Sequence, residues 1–295
     1  MTTRPVTLAL GGGGARGIAH LGVIEVLIDH GFEIERIVGV SMGSLAGAIY
    51  AFEPDIKQAQ QRALDYLLSQ SFQEHQHTLF GASPKGNEEN SGGLFSWYDR
   101  VKKYLRANHL FHRVIRTPSL LPGVVLRDVV DQLLPDADIS EAAIPLCVVA
   151  VDLRSGHNML LEKGSLRDAV RGSSSLPGIF PPVEFDDLLL CDVGVFYSLP
   201  TTVARSYTSQ CLVAVDVSSG LQPITTCETA LDVLMRMDEI GESLFRKHVR
   251  DEADLVIEPA VANIEWFDFS DPEKLIAAGR RAGERAIAKL AAKFE

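Results

Sequence analysis

Two glycine-rich segments carry the residues whose types and spacing could do chemistry. The first is Gly39-Val40-Ser41-Met42-Gly43, a G-x-S-x-G. The apolar run Ile37–Val40 precedes it and the small-residue helical stretch Met42–Ala51 follows it, the strand–turn–helix setting that an exposed nucleophilic serine requires. A serine at the tip of so tight a turn needs glycine, or something nearly as small, two places to either side. The following helix would aim its positive end at the site and favour developing negative charge. Ala46, Gly47 and Ala48 would let that helix pack closely. The competing account is a turn with a purely structural role.

The second segment is Gly11-Gly12-Gly13-Gly14-Ala15-Arg16-Gly17. Successive glycines at a helix start expose backbone N–H groups, which suit a phosphate or an oxyanion. Gly12-x-Gly14-x-x-Gly17 also fits the dinucleotide fingerprint, which predicts an acidic residue ending the second strand. That strand ends instead in Val40-Ser41-Met42-Gly43, and Glu33 and Glu35 lie before it. With Ser41 at the neighbouring strand end, the hydrolase reading is the better of the two. Arg16 either binds a substrate phosphate or carboxylate, or braces the loop.

Ser41 needs a base to take its proton. His20 and His30 belong to the first helical segment, and His75, His77, His109 and His112 lie in or beside a middle segment rich in loop signals. His157 begins a strand. His248, with Asp216 as its orienting acid, would complete a Ser–His–Asp order. Asp192 is the other candidate: it ends the apolar run Leu188–Cys191 and is followed by Val193-Gly194. Partial desolvation beside the serine would make it a stronger base. From position alone, a turn-forming aspartate is the stronger contender.

The elements that must position these residues alternate. Val6–Leu10, a helix closed by Gly31, Ile37–Val40 and the Met42–Ala51 helix argue for a parallel sheet covered on both faces. Strands are expected again at 145–151, 158–162, 188–191, 211–217 and 255–258. Helices fit 59–68, 126–134, 165–171, 229–250 and 272–293. Residues 70–125, with the polar Gly81–Gly93 stretch and a helical 94–110, read as a helical and flexible insertion over the active-site end. Within it, Leu94, Phe95, Trp97 and Tyr98 either line an acyl channel or pin the insertion to the core. The expected architecture is a three-layer α/β sandwich in one domain, 1–295.

The chain carries 46% hydrophobic and 23% charged residues and a formal net charge of −11. That composition supports a sizeable core and argues against nucleic acid and against a polybasic hold on anionic membranes. Cys147, Cys191, Cys211 and Cys227 form no C-x-x-C pair and read as small hydrophobes in a reducing cytosol. Met1–Pro5 lacks the pattern of a signal peptide. The uncharged stretch 37–52 is too short to span a bilayer. The expectation is a cytoplasmic chain with at most transient membrane-surface contact.

GGGGARG, GVSMG and the later DVG resemble the three signature blocks of the patatin-like phospholipase family. The Arg171–Pro182 segment, Val149–Asp152, Ser155-Gly156 and Leu199-Pro200 extend the likeness over most of 6–217, toward the bacterial branch related to neuropathy target esterase. The resemblance implies an acyl-ester hydrolase acting on phospholipids, lysophospholipids or other fatty-acyl esters, without metal or cofactor. It implies Ser41 as nucleophile, Asp192 as its only base, an oxyanion hole at Gly12, Gly13 and Gly14, and a nucleophile elbow framed by Gly39 and Gly43. The Ser173–Ser175 run would support the site wall. One departure stands out: the family has glycine after the dyad aspartate, and this chain has Val193. If that turn needs a positive φ, a β-branched residue displaces Asp192 and the chain becomes a weak enzyme or an inactive adaptor.

Overall fold

Val6, Leu8, Ala9 and Leu10 are all fully buried. A strand with core on both sides belongs to the interior of a covered sheet, and β1 (Arg4–Leu10) lies between β2 (Phe32–Val40) and β7 (Leu212–Val215), parallel to both. The computed structural model describes residues 4–74, 119–207 and 210–294. The insertion's Gly81–Gly93 stretch, its 94–110 helix and its four apolar side chains therefore lie outside the described residues.

Among the described residues the sheet has eight strands, in the order β5-β6-β3-β2-β1-β7-β8 with β4 also paired to β3. β3 (Leu146–Asp152) and β8 (Leu255–Ile257) continue the parallel centre. β4 (Asn158–Leu161), β5 (Val183–Phe185) and β6 (Leu188–Cys191) form an antiparallel flank. β5 carries only three residues, too short for its alternation to show in the sequence.

Side-chain parity divides the core into two layers. Val6, Leu8 and Leu10 face one apolar cluster and Ala9 faces the other. In β2 the parity changes: Phe32, Ile34 and Ile37 share the first cluster, whereas Val38 and Val40 join the second. The cause is a register shift opposite Val6/Thr7, which inserts one extra residue in β2. One added residue reverses every later side chain.

The first cluster is covered by α1 (Ala19–Asp29), α2 (Met42–Phe52), α3 (Ile56–Leu67), α4 (Val124–Leu133), α5 (Leu166–Ser173) and α8 (Pro272–Ala291). The short α6 (Thr201–Arg205) and the C-terminal end of α7 (Ala230–Arg250) cover the other face. α1 and α8 touch backbone to backbone: a Cβ on Gly22 would sit 2.0 Å from the Ile276 carbonyl oxygen, and one on Gly279 2.0 Å from that of Ala19. Glu25 of α1 is buried and paired with Arg280 of α8 and Lys57 of α3. These contacts anchor α1, and with it the glycine-rich loop that precedes it.

Candidate active site

Only Ser41 separates the end of β2 from the start of α2. It adopts φ 54° and ψ −129°, a backbone state that costs a non-glycine residue roughly 1–3 kcal/mol and survives only when its surroundings over-determine it. A Cβ on Gly39 would lie 2.6 Å from the Gly43 carbonyl oxygen, and one on Gly43 2.2 Å from that of Leu10. The Ser41 N–H donates to Ser173 Oγ at 2.8 Å, and the Ser173 hydroxyl donates onward to the Val149 carbonyl at 2.6 Å. The Ser44 hydroxyl donates to the Ser41 carbonyl at 2.7 Å. The turn is thus held from the sheet, from α5 and from its own helix.

Asp192 follows β6, which is antiparallel to β3, and so reaches the site from the flank and not from a parallel strand end. Its N–H donates to the Ser175 carbonyl at 2.9 Å. The Ser173–Ser175 run therefore braces both Ser41 and Asp192. Asp192 Oδ1 accepts the Gly194 N–H at 2.6 Å. Oδ2 is buried and has no hydrogen-bond partner among the described residues. Burial pushes the carboxyl up to about 7, against the opposing pull of the Ser41 hydroxyl and the Gly194 N–H. A Cβ on Gly194 would come within 2.8 Å of Asp192 Oδ1 and 3.7 Å of Ser41 Cβ, so Ser41 and Asp192 close on one small space that only glycine leaves open. Val193 is not among the residues with positive φ. It is 5% exposed and packs with Val38, Val40 and Tyr197. The β-branched residue costs this turn no left-handed strain and sits in the core.

The glycine loop lies against Ser41: a Cβ on Gly12 would be 3.2 Å from Ser41 Cβ. The Gly12 N–H is already donated to the Ser198 carbonyl at 2.8 Å. That corrects the expectation that Gly12 offers an oxyanion donor, because a single N–H bonded at that distance is committed. Gly13 and Gly14 lie before and at the start of the 3-10 turn Gly14–Ile18, where N–H groups have no acceptor within the turn. Gly14 has φ +57°, and a Cβ there would meet the Trp266 carbonyl oxygen at 2.1 Å.

Arg16 is 6% exposed, and its Nε donates to the Gly13 carbonyl at 3.1 Å. Burial pulls the guanidinium down to about 10, with Glu265 opposing, so it stays charged at neutral pH. The Gly13 contact is the bracing role. His20 holds the other end of the loop, its Nε2–H donating to the Gly11 carbonyl at 2.8 Å. Burial lowers that imidazole to about 4, keeping it neutral.

His248 is exposed on α7, and the Asp216 carboxylate is held by Arg246 at 3.2 Å and Arg250 at 3.4 Å. The alternative triad of Ser41, His248 and Asp216 is therefore not assembled: its acid is occupied by arginines on the inner side of α7. Sequence reasoning passed over the support for the loop, in which Ser198 Oγ donates to Glu242 and Arg246 Nε pairs with Glu242 at 3.0 Å. The i, i+4 spacing of Glu242 and Arg246 was the available signal. Cys147, Cys191 and Cys211 are buried and Cys227 is exposed, all unbridged.

Ser41 sits where two cavities meet. One has charged side chains in its wall, Arg16, Asp192, Glu242 and Arg246, beside Gly12 and Gly13. The other is apolar, with Met42, Leu45, Ala46, Ile49, Leu126 and Phe180 in its wall. Gly14, Leu176 and Trp266 border both. Among the described residues, no helix is long and apolar enough to cross a membrane.

The chain is 29% identical over 267 residues to the patatin-like phospholipase domain-containing protein 6 of Homo sapiens, covering 90% of this chain and 16% of that protein. It is 30% identical over 221 residues to an uncharacterised NTE family protein of Mycobacterium tuberculosis, covering 73% of this chain and 49% of that one. The chain thus spans about half the length of the mycobacterial relative and a small part of the human one. The crystal structure of VipD from Legionella pneumophila aligns over 97% of this chain and 66% of its own, with a TM-score of 0.48 and 15% identity. The family model described as patatin-like phospholipase matches residues 8–205, a span that includes the glycine loop, Ser41, Ser173 and Asp192. The chain belongs to the patatin-like phospholipase family.

Proposed function

We propose that Ser41 and Asp192 form a two-residue catalytic dyad that hydrolyses a fatty-acyl ester through an acyl-serine intermediate. The observation that carries this is the buried Asp192 carboxyl. It is pushed up to about 7 and keeps one oxygen uncommitted beside a serine held in a strained turn. A base with a pKa near the working pH is the most effective proton acceptor. As Ser41 Oγ attacks the ester carbonyl, its proton passes to Asp192. Negative charge then gathers on the carbonyl oxygen, where the Gly13 and Gly14 N–H groups and the positive start of α2 stabilise it. Collapse of the tetrahedral species breaks the ester C–O bond, and Asp192 returns the proton to the departing alcohol. Water, activated by the same carboxylate, then releases the fatty acid from Ser41. Gly12 and Gly194 serve by having no side chain, and Arg16 serves by holding the Gly13 carbonyl.

The substrate class is a phospholipid, lysophospholipid or other fatty-acyl ester. The apolar cavity supports a place for the acyl chain, and the cavity with Arg16, Glu242 and Arg246 in its wall a place for the alcohol side. Contact with a lipid surface is supported by the outer side of α7, where Leu234, Met237 and Leu244 are each at least 60% exposed. Its inner side holds the buried Asp232, Ser243 and Arg246, so the polarity of this helix is reversed with respect to water.

The test is labelling of the purified protein with a fluorescent fluorophosphonate, comparing wild type, Ser41→Ala and Asp192→Asn. Labelling of the wild type that both substitutions abolish is expected. A folded wild type that stays unlabelled would overturn the dyad.

A further inference from the structure

We infer that the apolar cavity beside Ser41 is a length gauge for a single acyl chain, and that Ala46 and Ile49 of α2 set its depth. The inference rests on Ser41 being the acylated residue.

Ser41 immediately precedes α2, and Met42, Leu45, Ala46 and Ile49 of that helix all line the cavity. The cavity therefore runs beside α2 for about two turns. Ile49 lies eight residues from Ser41, which at a helical rise of ~1.5 Å per residue is about 12 Å. An extended alkyl chain advances about 1.25 Å for each carbon–carbon bond of ~1.5 Å, so the stretch beside α2 spans about ten carbons. No α2 residue beyond Ile49 lines the cavity.

The width is set by volume. The cavity measures about 100 Å³, less than a cavity of ~150 Å³ that takes up one benzene. One chain fills it and a second is excluded. The small volume also places the optimum below the length that the stretch beside α2 spans. The wall adds no competing chemistry, because apart from Ser41 and Ser174 its side chains are apolar. Each methylene buried along it should raise kcat/KM by up to about fourfold until the floor is reached.

Ala46 stands about 7 Å from Ser41 by the same helical rise, and Ile49 one turn deeper. A larger side chain at Ala46 grows into the bore, and a smaller one at Ile49 deepens it. Ala46→Leu should shift the optimum toward shorter esters by about three methylenes, and Ile49→Ala should shift it toward longer ones.

The experiment is the kcat/KM profile over p-nitrophenyl esters from acetate to palmitate for wild type, Ala46→Leu and Ile49→Ala. Circular dichroism checks the fold of each, and wild-type labelling by a small fluorophosphonate runs alongside. The expected result is a labelled wild type with its optimum at or below decanoate, and two variants displaced in opposite directions. Ratios within each variant cancel any general loss of activity, and Ile49→Ala carries the test alone if Ala46→Leu does not fold. A labelled wild type whose profile neither substitution moves would overturn the gauge and leave the dyad standing. A folded wild type that neither labels nor turns over any ester would remove the dyad, and the gauge with it.

Discussion

Asp192→Asn should remove turnover and, above neutral pH, make the protein more stable. The side chain is 1% exposed and its carboxyl is raised from 3.8 to about 7, chiefly by burial. A carboxyl raised on folding binds its proton more tightly in the native than in the unfolded chain. Its contribution is therefore fully favourable below the unfolded pKa and is lost as pH rises through the folded one. Holding the carboxyl at about 7 corresponds to about 4 kcal/mol, at ~1.4 kcal/mol for each tenfold change in proton affinity. Asparagine carries no charge to desolvate, and its amide oxygen can still accept the Gly194 N–H. The variant should match wild type near pH 4, gain on it steadily up to about pH 7, and hold a constant lead above that. In a chain of this size, a lead of about 4 kcal/mol corresponds to a rise in Tm on the order of 5–10 °C. The assay is thermal melting of both proteins across that pH range, with kcat/KM for a short-chain ester measured in parallel. Wild-type kcat/KM should rise through about pH 7 as Asp192 becomes the base, and the variant should lose at least ~100-fold. A Tm difference that does not vary with pH, or a variant that keeps its turnover, would refute the claim that a desolvated Asp192 is the base.

Other outcomes follow from the same geometry. Ser173→Ala leaves the buried Ser41 N–H without its acceptor, which should cost about 1–3 kcal/mol of stability and lower kcat more than it raises KM. Denaturant unfolding and steady-state kinetics check both. Val193→Gly should not raise activity, since Val193 is not at positive φ; it should cost about 2 kcal/mol or more through lost packing and added chain entropy, and higher turnover in the glycine variant would contradict this. Replacing Leu234 and Leu244 of α7 by aspartate should weaken binding to neutral phosphatidylcholine vesicles, read by flotation, while leaving hydrolysis of a water-soluble ester unchanged. Equal flotation of both proteins would argue against a lipid-facing α7.

The strand–turn–helix around Ser41 was legible in the chain because it is local. G-x-S-x-G needs only its own strand, turn and helix, and a side chain at Gly39 would meet the backbone of Gly43 and Ser44 in that same turn, although Gly43 is also held small by Leu10 at the end of β1. The parallel centre of the sheet was legible for the same reason: Val6–Leu10 and Ile37–Val40 are apolar runs, each followed by a helix. The antiparallel flank was not, because β5 and β6 are three and four residues long and their direction depends on pairing, β6 with β3 and β5 with β6. Position alone left Asp192 and His248 both open as partners of Ser41. Tertiary structure separated them by burying Asp192 and by committing Asp216 to two arginines, and burial is a property of neighbours distant in sequence. It also decided which glycine N–H is already committed. Gly12, Gly13 and Gly14 are indistinguishable as letters, yet the Ser198 carbonyl, brought in from the far side of the sheet, takes the Gly12 N–H alone. Val193 shows the same limit from the other side. Its identity raised a question about backbone conformation, and only the packed cluster around Val38, Val40 and Tyr197 answered it. Residue types and their spacing determined what chemistry this chain can attempt. Desolvation and the commitment of hydrogen bonds, which arise only when remote segments meet, decided which atoms are free to do it.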